Sequence, residues 1–370
     1  MTLATVIERS KHDREGWKYT SLAPLAAQTF VPPAKQKTVQ TKTPLPSIAA
    51  AGDRHQIVFM NGVWQPELSK LGELEGLING DADSGYHLTL AGQTCLVTAP
   101  IELVFLAETD AEPAEINLHL TIELGTSDRL TLIEHHVASK GPHPVVGVYE
   151  TEIHLGPQAK LVHGKIVDPG EQMSSLARTR ITIEEGAYYD NFALIKSGRL
   201  VRNEIEANLT GKLAQCTLNA VMLLRGATHA DTTTHIKHEA PDGTSRQTCK
   251  SVVTDKARGV FQGNITVAEG AQKTDARQLS RALLLSDQAE MDAKPELKIY
   301  ADDVKCSHGA SIGALDDDAL FYLRARGLDE NQARALLIRG FAGEILDEIQ
   351  MPEWRDYARK QVETWCDDCA

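Results

Sequence analysis

The sequence predicts a mainly β protein. Its core is a β-solenoid of stacked short strands, with helical regions before and after it. Three observations carry this. A strand-plus-glycine-turn unit recurs through the middle of the chain: Thr121-Ile122-Glu123-Leu124-Gly125 is echoed by Glu152-Ile153-His154-Leu155-Gly156, and again before Gly186, Gly211, Gly243 and Gly270. Those turn glycines are spaced by 31, 30, 25, 32 and 27 residues, and Asp302 extends the series by a further 32. Apolar residues inside the units alternate with a period of two (Ile181, Ile183; Ile205, Ala207, Leu209; Ile265, Val267), which is strand rather than helix spacing. A unit of this size cannot bury its own apolar face, so neighbours must stack. Aromatic residues make up only 5% of the chain, fewer than a conventional sandwich core uses. Two sheets joined by Greek-key links would also alternate, but a fixed repeat over about 190 residues favours the solenoid.

The 370 residues carry a net charge of −13 and contain no basic run of the kind that neutralises phosphates, so nucleic acid is not an expected partner. No apolar run reaches the roughly 20 residues a membrane helix needs, and Met1–Arg14 lacks a signal-peptide apolar core. The expectation is a soluble, cytoplasmic protein with no membrane partner. Six cysteines in such a chain read as thiols or metal ligands before disulfides.

Three regions follow in order: an N-terminal helical arm and linker over 1–54, the solenoid over 55–314, and a C-terminal helical region and tail over 315–370. Thr2–Lys11 suits a short helix, and Trp17 and Tyr19 suit packing anchors that dock the arm. Pro32-Pro33 through Pro46 reads as an extended linker. Strands begin at Gln56–Met60, ending in an Asn61-Gly62 turn, and continue through His87–Leu90, Gln93–Thr98 and Ile101–Leu106. Asn79–Asp83 has the start of a calcium loop but no Glu at its twelfth position. Past Gly313, Asp316 is placed to cap a helix that stops at Gly327. Asp329 and Gln332 have capping-box spacing at the start of a second helix, and Pro352 marks its end or a break shortly after. A charged tail closes with Cys366-Asp367-Asp368-Cys369, half of a metal or redox motif.

There is no Walker A sequence, dinucleotide fingerprint or nucleophile elbow. Any ATP chemistry therefore belongs to another subunit. The richest stretch is Lys305-Cys306-Ser307-His308-Gly309-Ala310, where strands give way to helices. Cys306 and His308 are two apart, so on a strand they share a face. A thiol beside an imidazole suits zinc, iron or an iron–sulfur species, with further ligands from elsewhere. A buried Cys and a surface His near a coil edge is the plain alternative. His229, His235 and His238 read as polar ladder residues, and Glu134-His135-His136 is open to either reading. On the second C-terminal helix, Leu336, Leu337, Phe341 and Ile345 form an apolar stripe that serves either the core or a partner protein. A polysaccharide-active solenoid enzyme is a rival, though it would want aromatic platforms and paired acids repeated on one coil.

Several segments resemble the SufB/SufD family of iron–sulfur assembly scaffold proteins. They are Arg258–Ile265 (RGVFQGNI), Gln278–Leu285 (QLSRALLL), Lys294–Ala310 (KPELKIYADDVKCSHGA) and Phe321–Gly327 (FYLRARG); Trp17-Lys18-Tyr19-Thr20 resembles the family's N-terminal arm. The Cys-x-His pair in this setting is similar to the SufD branch. The resemblance implies a right-handed parallel β-helix flanked by helical regions, and a non-catalytic subunit that pairs with a SufB-like subunit through the β-helix. It implies C-terminal helices that hold a SufC-like ATPase, through Tyr322, Leu336, Leu337, Phe341 and Ile345. It places His308 at the SufB interface opposite a partner cysteine, with Cys306 secondary. No stable cofactor is implied: an iron–sulfur cluster is transient there, and a reduced flavin in the complex is left open. In isolation the implied state is a homodimer, and a homomeric interaction scaffold is the alternative function. Two features depart from the family pattern: a short N-terminal region, and the Cys366–Cys369 tail.

Overall fold

A computed structural model describes every residue except 34–40, 49–53, 91, 93–98, 110–111 and 369–370. The expected strand at Gln93–Thr98 and the middle of the linker (34–40) therefore lie outside the described residues. The chain begins with α1 (Leu3–His12), capped by the Thr2 hydroxyl accepting from the Thr5 N–H, and α2 (Ala23–Ala26). Among the described residues, nine strands come first in the solenoid region: β1 (His55–Met60), β2 (Val63–Trp64), β3 (Ile78–Asp81), β4 (Gly85–Thr89), β5 (Ile101–Ala107), β6 (Ala114–Leu124), β7 (Arg129–Ala138), β8 (Val145–Leu155) and β9 (Lys160–Val167). Ten more complete it: β10 (Met173–Ile183), β11 (Tyr188–Ile195), β12 (Leu200–Leu209), β13 (Gln215–Leu224), β14 (His229–His238), β15 (Thr244–Val253), β16 (Arg258–Val267), β17 (Asp275–Leu284), β18 (Glu290–Ile299) and β19 (Lys305–Gly313). Three helices close the chain: α3 (Asp317–Ala325), α4 (Glu330–Leu346) and α5 (Pro352–Asp368).

From β4 onward, consecutive strands alternate between two sheets, and each pairs in parallel with the strand one coil away. This is the expected parallel β-helix. One sheet runs β19-β17-β15-β13-β11-β9-β7-β5-β1-β2 and the other β18-β16-β14-β12-β10-β8-β6-β4-β3. Antiparallel hairpins, β1–β2 and β3–β4, close the first end.

Period-two alternation turns one side of each strand into the interior. Register then stacks like on like: Ile122, Ile153, Ile181, Ala207, Ile236, Ile265 and Leu297 form one continuous column. Apart from Gly186, which is left-handed (φ 63°), the turn glycines do not serve left-handed turning. At most of these corners the positive-φ residue is polar or large, such as Ser127, Gln158 and Leu213. At two corners glycine lets adjacent coils touch: a Cβ on Gly211 would sit 2.0 Å from the Glu185 nitrogen, and one on Gly156 3.0 Å from the Gly125 carbonyl carbon.

The two helical regions cover opposite faces. On the nine-stranded sheet the arm buries Leu3, Val6, Trp17, Leu22 and Leu25 against Val146, Val148, Leu176 and Leu200. The Trp17 ring lies 3.9 Å over the buried Arg202 guanidinium, which donates to Asp231 at 2.6 Å. Arg9 makes a two-pronged contact with Glu204 at 2.9 and 2.8 Å. Glu15 pairs with Lys294, so the arm reaches the last strand of its sheet. Trp17 is thus the expected anchor; Tyr19 is only half-buried.

On the ten-stranded sheet, α4 and α5 pack over Ile133, Ile166, Phe192, Leu194, Val221, Leu223 and Val252. Asp316 and Asp329 cap α3 and α4 as expected, the second in a full capping box with Gln332. The expected charged tail is instead α5. Pro352 starts that helix, where a missing N–H costs nothing, and Trp354, Ala358, Val362 and Trp365 form its buried stripe. Cys366 is buried in this cluster and not part of a flexible end; Cys369 lies outside the described residues.

The seam between helices and solenoid contains a titrating group. Lys160 donates to the Gln350 side-chain oxygen at 3.2 Å and the Gln350 amide donates to Tyr188 Oη at 3.0 Å, beside buried Asp190. Burial pushes the Asp190 carboxyl up to about 6 from an ordinary 3.8. A raised carboxyl pKa favours the fold below the unfolded value, and that advantage is lost as pH climbs through about 6. Asp190→Asn should therefore stabilise the protein above pH 6, by up to about 3 kcal/mol, and change little near pH 4. Thermal unfolding of both forms at pH 4 and pH 8 checks this. An equal shift at both pH values would contradict it.

Candidate functional site

The second end of the solenoid differs from the first. β18 and β19 are the outermost strands of their sheets, each with a single neighbour, β16 and β17. Among the described residues no strand pairs with their outer edges. An edge strand presents a row of unpaired backbone donors and acceptors, which templates the addition of another strand. Here two such edges lie together, and apolar side chains accompany them: Ile299 (41% exposed), Tyr300 (65%) and Ile312 (46%).

Cys306 and His308 sit on β19 within this end. In register, Cys306 pairs with Ala276 and His308 with Gln278. Ala276, Gln278 and Ser280 are buried interior residues of β17, so Cys306 and His308 share the interior-facing side, as their spacing predicts. No further coil covers them. Cys306 packs against the interior apolar cluster, whereas His308 is exposed. Burial pushes the Cys306 thiol up, which keeps it protonated and a poor donor at neutral pH. Of the pair, the imidazole is the accessible donor. One imidazole and one half-buried thiol do not close a tetrahedral site. Among the described residues no group of three or more His, Cys, Asp or Glu is arranged to hold a metal. A metal species at this end would need donors from another molecule.

The residues expected to meet an ATPase subunit are divided. Tyr322 (57% exposed) and Leu336 (47%) face outward, together with Phe321 (74%). Leu337 and Phe341 are half-buried. The Phe341 ring lies 4.8 Å from the Lys250 ammonium, which donates to the Phe341 carbonyl at 2.7 Å and pairs with Glu344, fastening α4 to β15. Ile345 is 3% exposed and belongs to the helix–sheet core. Ala333, Ala335, Ile338 and Ala342 carry the buried face of α4, so the stripe read from spacing does not form one surface.

Other sequence candidates resolve into structure. Asp81 accepts from the Asp83 and Ser84 N–H groups and the Ser84 hydroxyl, which makes it a hairpin-turn residue rather than a calcium ligand. His235 is exposed and His229 contacts Thr20 of the arm at 3.4 Å. His238 faces the interior 2.9 Å from Ser245 Oγ, and burial pushes its imidazole down to about 4. These are not rungs of one polar ladder.

One buried cluster is only half visible in the sequence. Glu134 lies within 3.2 Å of His136, 3.1 Å of His163 and 3.2 Å of Lys165, all inside the solenoid. Burial raises the Glu134 carboxyl, but Lys165 and His163 outweigh this and hold it well below the usual carboxylate range. His135, on the opposite face, pairs with Glu102 at 3.1 Å. Glu134-His135-His136 gave a signal, but its partners stand on the next coil and only register joins them.

Residues 105–341 match the family model described as SUF system FeS cluster assembly, SufBD core domain. The chain belongs to the SufBD family. Over 374 aligned residues it is 31% identical to the iron–sulfur cluster assembly protein SufD of Escherichia coli (strain K12), covering 94% of this chain and 86% of that one. It is 31% identical to an iron–sulfur cluster assembly SufBD family protein of Synechocystis (strain PCC 6803), over 96% of this chain and 87% of the relative. SufD of Bacillus subtilis (strain 168) is 29% identical over 68% of this chain and 58% of its own. The SufBD core match takes in most of the solenoid, its open end, α3 and most of α4, but not α5. The departure noted at Cys366 thus falls beyond the matched core. No helix among the described residues is long and apolar enough to cross a membrane.

Proposed function

We propose that this SufBD-family chain is a non-catalytic, cytoplasmic scaffold subunit for iron–sulfur cluster assembly. Its open end pairs with a SufB-like subunit by strand addition at β18 and β19. His308 is its donor to a cluster assembled at that junction, with Cys306 secondary; the cluster is cargo, transient at the interface and not a resident cofactor. A reduced flavin, if the complex uses one, binds with the assembled subunits. The observation that carries this reading is an accessible imidazole beside two adjacent unpaired strand edges at the uncapped end. Its donor set is incomplete within this chain, which fits a site shared between two subunits. A second copy adding to the same edges, giving a homodimer in isolation or a homomeric scaffold, is the alternative.

The exposed surface of α3 and α4 docks a SufC-like ATPase. Phe321, Tyr322 and Leu336 are large apolar or aromatic side chains left in water on a lobe that is otherwise fastened to the solenoid. Two anaerobic co-purifications with SufB-like and SufC-like subunits test the two surfaces. Joint Phe321→Asp and Leu336→Asp substitutions should release the ATPase at least about tenfold more readily while the SufB-like partner is retained. Unchanged ATPase retention would move that contact elsewhere. A chain that never co-purifies with the SufB-like subunit would sink the pairing.

A further inference from the structure

A buried glutamine lies in register with His308. Gln278, its register partner on β17, is 3% exposed and faces the same interior side. Its amide is held in one direction by a short polar chain. Gln278 Nε2 donates to Gln247 Oε1 at 2.8 Å, and Gln247 Nε2 donates to Thr234 Oγ1 at 2.7 Å. Gln247 and Thr234 are themselves buried. With the amide nitrogen committed to Gln247, Gln278 Oε1 is left as a buried acceptor with no partner among the described residues. An unpartnered buried acceptor is unfavourable by about 1–3 kcal/mol, so a donor is expected beside it.

A second observation shows room reserved for this amide. Gly263 faces Gln278 across the interior from β16, and a Cβ there would lie 1.9 Å from Gln278 Nε2 and 2.7 Å from Cδ. Gly263 has no positive-φ requirement. Its missing side chain is what admits the glutamine. Register partners in a sheet lie about 4.8 Å apart, within reach of a ring N–H donating to a neighbouring amide oxygen.

We propose that Gln278 is the positioning residue for His308, its Oε1 accepting from one ring nitrogen so that the other, unprotonated, points out of the open end as a donor to iron. A ligating imidazole commonly donates its second N–H to such an acceptor, which fixes tautomer and ring direction. This inference rests on the reading of His308 as a cluster ligand. The Thr234–Gln247–Gln278 chain is the support that keeps the acceptor in place.

Ring-nitrogen NMR of the 15N-histidine-labelled chain at pH 8 tests it, with His308 assigned by its loss in His308→Ala. The expected result is one dominant His308 tautomer in the unmodified chain. Gln278→Leu should collapse this toward the mixture of a free imidazole, and so should Gly263→Ala, while Gln278→Glu should keep it. A free-imidazole mixture in the unmodified chain would overturn the proposal without any variant having to fold. So would a single tautomer that survives Gln278→Leu. In reconstitution with the partner subunits, Gln278→Leu should lower cluster yield about 10- to 100-fold and Gln278→Glu only a few-fold. The two readings fail separately. Full cluster yield in His308→Ala removes the ligand role but leaves the tautomer result standing; loss in His308→Ala with no tautomer change in Gln278→Leu removes only the positioning role.

Discussion

His308→Ala should leave the chain folded and still able to join its partners, yet reduce cluster formation on reconstitution by well over tenfold. The fold should survive because His308 is exposed on an outermost strand. Partner association should survive because strand addition uses the backbone of β18 and β19, which the substitution leaves in place. Cluster formation should not survive, since the remaining donor on that face, Cys306, is half-buried and packed against the interior apolar cluster. Cys306→Ala should accordingly cost less than His308→Ala. Iron and acid-labile sulfide per complex after anaerobic reconstitution measure both. Equal yields in His308→Ala and the unmodified chain would remove His308 from the site.

The second large effect is expected far from that end. Trp354→Ala should destabilise the C-terminal helical lobe by about 3–5 kcal/mol. The Trp354 side chain is fully buried, 6.1 Å edge-on from Phe192 and 5.8 Å from Tyr357. It rests over Gly164, where a Cβ would come within 3.0 Å of the indole nitrogen. Truncation leaves a cavity bounded by a rigid sheet that cannot collapse into it, which is the costly case. The damage should stay local. Hydrogen exchange over α4 and α5 should accelerate, whereas the amides of β16 and β17, backed by their own ladders, should keep their protection. A loss below about 1 kcal/mol, or unprotected solenoid strands, would contradict this division of the molecule.

The sequence displays the solenoid because the property that builds it is local: alternation inside each strand and one corner per coil. Even so, glycine positions mark the coils only approximately, since the corners use glycine differently: close stacking at Gly156 and Gly211, a left-handed angle at Gly186. Cys306 and His308 are legible for the same local reason, as spacing two on a strand puts them on one side. What is illegible depends on the third dimension. Glu134 meets Lys165 only because β7 and β9 are in register, and Gln278 meets Gln247 and Gly263 across coils and across the interior. The C-terminal lobe misleads in two ways. Pro352 is compatible with a helix stop and with a helix start, and only the stripe Trp354, Ala358, Val362, Trp365 separates the two. On α4 small alanines carry the buried face, so choosing large apolar residues picked Leu336, which faces water, together with Ile345, which does not.

The open end of β18 and β19 is proposed to be completed by a partner subunit around His308. Amide hydrogen exchange across Glu290–Ile299 and Lys305–Gly313, with and without the SufB-like subunit, tests it most directly. Strand addition predicts that edge-facing amides in both segments slow markedly on binding while β4–β12 are unchanged. A complex that forms with exchange at both segments unaltered would show that the partner binds elsewhere, and would contradict the account.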